Sequence, residues 1–384
     1  MKLSQQLIFF GIVFSVYGLI NFYFLRRGLS VIPETYKTIF LVSGIFVVIS
    51  YIAGRFLENV WASILSKTLI WIGSFWIAFM FYFFLSLVVI DLFRLINLFV
   101  PFFPAFITHN IEKAKHLTAL VVFILVTVSV IGGYINTKTF VTKTYKINIH
   151  KKATGLKSLN IVMASDIHLG TILGKSFLTK LKNQINRLNP DIILLAGDII
   201  DEDLAAVIKN NVGEELIQLK SKYGVYAITG NHEYIGGVED AYKYLIAHGV
   251  NVLRDRYEKI DDSFYVVGRE DRSIRQFAGR QRKELKDIMT GIDKSFPVIM
   301  MDHQPFGLNE AQENGIDLQL SGHTHNGQLW PLNFIIEKIY DLGWGYRING
   351  TTHYYVSCGV GGWGPPVRTG SRPEIINIKL NFEY

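Results

Sequence analysis

Long apolar stretches without charge occupy the first third of the chain. Four of them stand out, each free of charged residues: Leu3–Leu25, Thr38–Gly54, Thr68–Ile90 and Leu117–Thr137. A helix needs about 20 residues, with a range near 17–25, to cross a bilayer. A soluble core rarely needs four such segments in succession, so the pattern predicts a four-helix transmembrane segment.

The pattern changes from about Tyr145 onward to short apolar runs that alternate with amphipathic segments. The runs predict strands at Leu159–Ala164, Asp191–Ala196, Val225–Thr229, Val298–Met301, Leu318–Leu320, Tyr354–Ser357 and Ile375–Leu380. Helical spacing is found at Lys175–Leu188, Leu204–Leu219 and Val238–His248. This alternation is typical of a layered α/β domain. We therefore expect two domains, a transmembrane domain over residues 1–140 and an α/β domain over residues 141–384.

The amino-acid composition agrees with this division when the two parts are considered separately. The whole chain is 49% hydrophobic and only 18% charged, because an almost uncharged part is averaged with an ordinary soluble one. The net charge is +7, and several lysines follow the last apolar stretch: Lys138, Lys143, Lys146, Lys151, Lys152 and Lys157. A basic segment beside a membrane helix usually faces anionic headgroups. Nucleic acid is the other interpretation, and it is disfavoured because aromatic residues do not interleave with the basic ones.

Two further features bound the cellular setting. The only cysteine, Cys358, excludes a disulfide within the chain and a thiolate metal cluster. The lysines after the fourth stretch favour a cytoplasmic face for the second domain, whereas Arg26, Arg27 and Lys37 argue for the opposite orientation. We expect an integral protein of the cell membrane, with the second domain on the cytoplasmic side.

Candidate chemistry lies in polar motifs, most of which directly follow a predicted strand. They are Asp166-Ile167-His168, Gly197-Asp198, Gly230-Asn231-His232-Glu233, His303 and Gly322-His323-Thr324-His325. Each motif alone is weak, because a single Asp-x-His or histidine pair is often a solvated turn. Together they hold half of the 10 histidines, and all offer ligands for hard or borderline metals. Sites in open α/β sheets form outside the carboxyl ends of strands, so the set predicts a two-metal centre that hydrolyses phosphate esters.

This set of motifs resembles the calcineurin-like metallophosphoesterase superfamily, including a bacterial branch with membrane-associated members. The matching residues are Asp166, His168, Asp198, Asn231, His232, His303, His323 and His325. The resemblance covers roughly residues 159–380. It implies a β-sandwich flanked by helices, with the site at the strand ends.

The resemblance also implies a role for each matching residue. One metal would take Asp166, His168 and His325, the other would take Asn231, His303 and His323, and Asp198 would bridge both. Two cations about 3.5–4 Å apart would activate a bridging hydroxide, and His232 would protonate the leaving oxygen or steady the transition state. Mn, Fe and Zn all suit this mixture of nitrogen and oxygen ligands.

The sequence says less about the substrate than about the metal ligands. The tether favours a phosphodiester or pyrophosphate in a membrane-associated, lipid-linked molecule, and we expect no nucleic acid and no protein partner. The alternatives are a phosphomonoesterase acting on soluble metabolites or phosphoproteins, and a non-catalytic metal-binding accessory protein. Arg368 and Arg372 could hold a substrate phosphate or cap a turn. An arginine-rich segment over residues 269–286 could bind phosphate or form a solvated face.

Overall fold

A computed structural model describes residues 3–202 and 204–382. Its α-helices are α1 (Leu3–Leu29), α2 (Glu34–Val60), α3 (Ile64–Phe99), α4 (Ala105–Thr108), α5 (Ile111–Asn136), α6 (Lys175–Arg187), α7 (Leu204–Lys209), α8 (Glu214–Ile217), α9 (Asn231–Gly236), α10 (Val238–Ala247), α11 (Ile274–Phe277), α12 (Leu285–Ile288), α13 (Asn309–Glu313) and α14 (Asn333–Ile339). A 3₁₀ turn covers His325–Gly327. Its strands are β1 (Val141–Ile149), β2 (Ser158–Ala164), β3 (Ile192–Ala196), β4 (Val225–Ile228), β5 (Val250–Val252), β6 (Arg256–Ile260), β7 (Phe264–Gly268), β8 (Val298–Met301), β9 (Leu318–Ser321), β10 (Gly345–Asn349), β11 (Thr352–Val356) and β12 (Glu374–Phe382).

Two compact units make up the chain. One comprises Met1–Ile135 with Gly364–Val367, and the other comprises Asn136–Trp363 with Arg368–Tyr384. We call the second the catalytic unit, because it contains every predicted site residue.

The first unit is helical. Three of its helices, α2, α3 and α5, are long and apolar enough to cross a membrane by length and composition. The first predicted span, Leu3–Leu25, falls in α1. Several side chains at its start lie outside the described residues, and α1 is not among the candidates. The prediction of four spans is therefore corrected to three candidate spans.

The catalytic unit contains two six-stranded sheets. In the first, the strand order is β1-β12-β2-β3-β4-β5, and β2 to β5 run parallel to one another. In the second, the order is β10-β11-β9-β8-β7-β6, and the four central strands are parallel. The antiparallel edge strands β6 and β10 close the two sides of the second sheet. Parallel central strands place their carboxyl ends at one edge of each sheet.

A shared apolar core joins the two sheets. Residues from both contribute to one buried cluster, with Ile161 and Leu194 from the first sheet beside Val266 and Leu320 from the second. Alternate residues of the first sheet point the other way and pack on α6 and α10. The far face of the second sheet packs on α12 and the segment after it. Because side chains alternate along a strand, strands that are buried on both faces read as continuous apolar runs.

The result is a sandwich of two sheets with helices on both outer faces. This is the α/β architecture with a helix-flanked β-sandwich that the resemblance implied. One predicted helix differs: Leu204–Leu219 is split into α7 and α8. Asn211 in the gap has a positive φ of 46°, a left-handed conformation that cannot continue a right-handed helix.

Candidate metal centre

The sheets bring all eight residues of the predicted site together. Asp166 and Asp198 follow β2 and β3, and Asn231 begins α9 directly after the loop from β4. In the second sheet, His303 follows β8 and the His323–His325 turn follows β9. Five neighbouring strand ends therefore supply the site, as expected for parallel sheets.

Asp166, His168 and His325 form one buried group of possible metal ligands. The Nε2 atoms of the two histidines lie 3.2 Å apart, and Nε2 of His325 lies 3.5 Å from Oδ1 of Asp166. The three ligand atoms thus face one another.

A second group contains Asp198, His303 and His323. Oδ2 of Asp198 lies 3.1 Å from Nε2 of His303. Nδ1 of His323 lies 2.7 Å from the amide oxygen of Asn231, which brings the asparagine into the same group. Asp198 also belongs to a third group, with His168 and His232, so its carboxylate lies between the two halves of the cluster.

Backbone conformation sets the direction of these side chains. Five site residues have positive φ: Asp166 (52°), His168 (51°), Asp198 (50°), His323 (74°) and His325 (50°). Non-glycine residues rarely adopt this left-handed region, and such outliers collect at functional sites because the surrounding structure holds them there. The left-handed conformation at these five positions allows their side chains to turn from the strand ends toward the shared cluster.

Two glycines permit the close approach of neighbouring turns. A Cβ added to Gly230 would overlap Oδ1 of Asp198, and one added to Gly322 would overlap Oδ2 of Asp166. Hydrogen bonds fix the same contacts, since the backbone N–H of His232 donates to Asp198 (2.9 Å) and that of His323 donates to Asp166 (2.8 Å). Glycine before each ligand pair is therefore a steric requirement.

The donor set fits divalent cations. Oδ2 of Asp166 is buried and accepts no hydrogen bond from any residue that the structure describes. Burying a carboxylate oxygen without a partner is costly, and a bound cation would remove that cost. Imidazole and carboxylate or amide oxygens together suit borderline metals.

Charges within the cluster are strongly coupled. Burial by itself would raise the pKa of Asp198, but the neighbouring His303 holds it well below the ordinary range. Burial by itself would lower the pKa of His303, and Asp198 and Asp166 outweigh that and raise it well above normal. Burial and the charge of His303 lower the pKa of His323 to about 3. His323 is thus neutral, the form in which a histidine can bind metal.

Asp201 is a site residue that the sequence analysis missed. Its Oδ1 lies 3.0 Å from Nδ1 of His232 and 3.6 Å from Nδ1 of His168. Burial by itself would lower the pKa of His232, but the hydrogen bond to Asp201 and the charge of Asp198 raise it to about 9. The signal was available in the sequence, because Asp201 is a second carboxylate three residues after Asp198 in Gly-Asp-Ile-Ile-Asp.

Glu233 holds the two neighbouring turns. Its carboxylate accepts hydrogen bonds from the backbone N–H groups of Asp198 (3.2 Å), Ile199 (2.7 Å), Ile200 (2.8 Å) and Gly230 (2.7 Å). This agrees with the interpretation that Glu233 orients its neighbours.

The two arginines predicted to contact substrate lie in different surroundings. Arg368 is buried, and its guanidinium lies 3.1 Å from Nδ1 of His325 and donates to the carbonyls of Cys358 and Gly359. This placement favours a role in holding His325 over a substrate contact. Arg372 is exposed, and its substrate role stays a prediction.

The arginines of the segment over residues 269–286 also differ in their surroundings. Arg269 and Arg282 are paired with acidic residues, Arg269 with Glu310 at 2.8 Å and Arg282 with Asp302 at 2.9 Å. Arg272 instead donates to the carbonyl of Phe306 and stacks on its ring. The segment is therefore largely an internal charge network.

Comparison with known proteins points in the same direction. Residues 159–327 match the family described as calcineurin-like phosphoesterase. A transmembrane protein with metallophosphoesterase domain from Danio rerio is 34% identical over 61% of this chain and 56% of its own length, and one from Bos taurus is 32% identical over 71% and 64%. An uncharacterized metallophosphoesterase from Helicobacter pylori is 32% identical over 58% and 60%. The chain thus spans between 56% and 64% of the length of these relatives.

Proposed function

Since residues 159–327 match the calcineurin-like phosphoesterase family, we propose that this chain is a membrane-anchored, metal-dependent phosphohydrolase. The observation that carries the proposal is the shared position of Asp198, which belongs to two of three overlapping groups of buried ligands. A carboxylate has two oxygens to share, so one side chain can serve both halves of the cluster. The complete ligand set argues against a degenerate, non-catalytic domain.

The residues divide between two ions. Asp166, His168 and His325 would hold one, and Asn231, His303 and His323 would hold the other, with Asp198 bridging. Two bound cations, here Mn, Fe or Zn, supply Lewis-acid polarisation of the phosphoryl group and a water acidified for attack.

His232 is positioned to give a proton to the leaving oxygen. Its Nδ1 is held by Asp201 at 3.0 Å, which leaves Nε2 for the substrate. The hydrogen bond and the negative charge stabilise the protonated ring, so His232 can act as a general acid at neutral pH. Asp201 is thus a positioning residue that also sets the charge of its partner.

The substrate class follows from the tether. Three apolar helices keep the catalytic residues near a bilayer, which favours a phosphodiester or pyrophosphate in a lipid-linked molecule. Trp363 supports this assignment, since it is 53% exposed and its ring centre lies 6.4 Å from that of His232. An exposed aromatic beside a proton donor offers an apolar surface to the leaving group. We further propose residues 1–140 as the anchor, residues 141–384 as the enzyme, and a cytoplasmic catalytic face at the plasma membrane.

A comparison of two chromogenic substrates tests the proposal. The full chain, reconstituted in lipid vesicles with Mn²⁺, is expected to hydrolyse bis-p-nitrophenyl phosphate faster than p-nitrophenyl phosphate. Asp198→Asn should abolish this turnover, while His150→Ala, at an exposed histidine outside the cluster, should leave it unchanged. Preference for the monoester would support a phosphomonoesterase. Bound metal without turnover on either ester would support the accessory role.

A further inference from the structure

Helix α14 and Trp330, which precedes it, expose an unusual apolar surface on the catalytic unit. No residue of α14 is buried, and Phe334, Ile335 and Ile339 are 53%, 53% and 55% exposed. Trp330, just before the helix, is 53% exposed. Isolated exposed apolar side chains are ordinary, but four large ones within ten consecutive residues indicate a candidate binding surface. We call these four residues the α14 patch.

Hydrogen bonds connect the α14 patch to Asn136, the residue with which the catalytic unit begins. Asn136, the final residue of α5, donates from its side chain to the carbonyls of Arg368 and Ser371, both at 2.9 Å. Between these two residues, the Thr369 hydroxyl accepts from the backbone N–H of Trp330 at 3.0 Å. The patch therefore begins beside the point where the chain enters the catalytic unit.

The same segment is continuous with the metal centre. The carbonyl of Gln328 accepts from the backbone N–H groups of Thr369 (3.0 Å) and Gly370 (2.9 Å). The hydroxyl of Ser371 donates to the carbonyl of His325 at 2.8 Å, and the side chain of Gln328 donates to the carbonyl of Trp363 at 3.1 Å. One short segment therefore joins a candidate metal ligand, the exposed Trp363 and the α14 patch.

We propose that the α14 patch is a second, peripheral membrane contact that inserts into the headgroup and acyl boundary of the bilayer. Helix α14 has 7 residues, far fewer than the roughly 20 needed to span, so it would lie in the interface. Its composition suits that depth, because tryptophan and phenylalanine prefer the interface and the exposed Lys338 can reach anionic headgroups.

The bilayer is favoured over a second copy of the chain by continuity. The end of α5 stands at the membrane boundary if that helix spans, and Asn136 fixes the adjoining segment there by two hydrogen bonds. A tether of this kind makes the second contact intramolecular, with a high effective concentration of lipid at the patch. A partner protein would have no comparable tether to hold it beside this surface.

This inference rests on the proposed function in one respect: a lipid-linked substrate would come to the enzyme from the bilayer that the patch contacts. The membrane contact itself requires no turnover, so it can be tested separately.

Spin labelling provides the test. Cys358 is fully buried, and burial raises the pKa of its thiol to about 12, so the natural cysteine should not react with a label. Ile335→Cys and, as a matched control, Ile246→Cys on α10 (45% exposed) are each labelled in the full chain. The labelled chain is reconstituted in vesicles of phosphatidylcholine and phosphatidylglycerol. Collision with oxygen and with a water-soluble nickel chelate reports the depth of each label.

The expected result is a label at position 335 that collides more with oxygen than with the chelate, and the reverse at position 246. Equal access of the chelate to both labels would overturn the proposal. Dipolar broadening at position 335, which dilution with unlabelled chain removes, would instead show a second copy on the patch and would also overturn it. Hydrolysis of bis-p-nitrophenyl phosphate by the same samples tests the proposed function independently.

Discussion

In the proposed function, Asp198 holds charge and His232 moves a proton. The carboxylate of Asp198 reaches His303 at 3.1 Å and accepts the backbone N–H of His232 at 2.9 Å. His232 itself turns its Nδ1 to Asp201. Substitutions at these residues therefore separate metal binding from proton transfer.

His232→Ala should keep its metal but lose turnover. General acid catalysis contributes roughly 10²–10⁴-fold, and we expect a fall of that size in kcat for hydrolysis of bis-p-nitrophenyl phosphate. Metal content by plasma emission spectrometry should match the unsubstituted protein. Full activity in this variant would remove the role assigned to His232.

Asp198→Asn should weaken metal binding in both halves of the cluster. An amide carries no charge and offers one oxygen in place of two, so we expect an affinity loss of more than about 100-fold at each position, above the range of about 10–100-fold for outer-shell partners. Equilibrium dialysis against Mn²⁺ measures it, with His150→Ala as the control. Two tightly held ions in the Asn variant would contradict the bridging assignment.

Asp201→Asn should shift the pH dependence of the reaction. Asp201 raises the pKa of His232, so its charge favours the protonated ring that donates the proton. Without the charge of Asp201 the pKa of His232 falls. As pH is raised, the variant should therefore lose activity at a lower pH than the unsubstituted protein. Bound metal ions would be present in both the unsubstituted protein and the variant, so they do not change the direction in which the pH profile shifts. The basic limb of the kcat profile measures the shift, and an unchanged limb would show that Asp201 acts only on structure.

At the scale of elements, the turn between β4 and α9 controls the site. Gly230→Ala would push a methyl group into Oδ1 of Asp198, so the turn or the carboxylate must move. We expect metal affinity and turnover to fall together, by about 5- to 150-fold, since overpacking costs typically 1–3 kcal/mol and about 1.4 kcal/mol corresponds to a factor of ten.

A matched glycine makes this prediction specific. Gly174 precedes α6 with an ordinary φ of −102°, and the nearest atom to an added Cβ lies 3.8 Å away. Gly174→Ala should therefore leave metal binding intact in the same dialysis measurement. Equal behaviour of the two variants would show that space at Gly230 is not limiting.

Elements differed in how well the sequence predicted them. The buried strands β2, β3, β4, β8 and β9 were predicted nearly to the residue, because burial on both faces leaves an uninterrupted apolar run. The strands β1, β5, β6, β7 and β10 were not identified. Strand β6 illustrates the reason, since four of its five residues are exposed. It is held by backbone pairing with β7, and such pairing leaves no pattern of apolar residues in the sequence.

At the scale of the whole molecule, metal binding should stabilise the catalytic unit. The ligands come from both sheets, so a cation bound to all of them resists separation of the sheets. A ligand at 100 times its Kd contributes about 2.7 kcal/mol to a folded state that alone binds it. Mn²⁺ should therefore raise the midpoint of thermal unfolding followed by near-ultraviolet circular dichroism, and Asp198→Asn should reduce the rise. A midpoint insensitive to Mn²⁺ would show that the cluster holds no ion.

The sequence by itself determined the apolar character of the first third, the α/β alternation and the eight clustered polar residues as candidate ligand types, because these depend on local pattern and residue chemistry. The count of candidate spans was corrected, and Asp201 was overlooked. Only the tertiary structure decided that Arg368 lies buried behind His325 and that Asp201 reaches His232, because both contacts join residues from separate strand ends. The connection of Asn136 to Trp330 through the segment around Thr369 was likewise decided there, since Asn136 and Arg368 lie 232 positions apart in the chain.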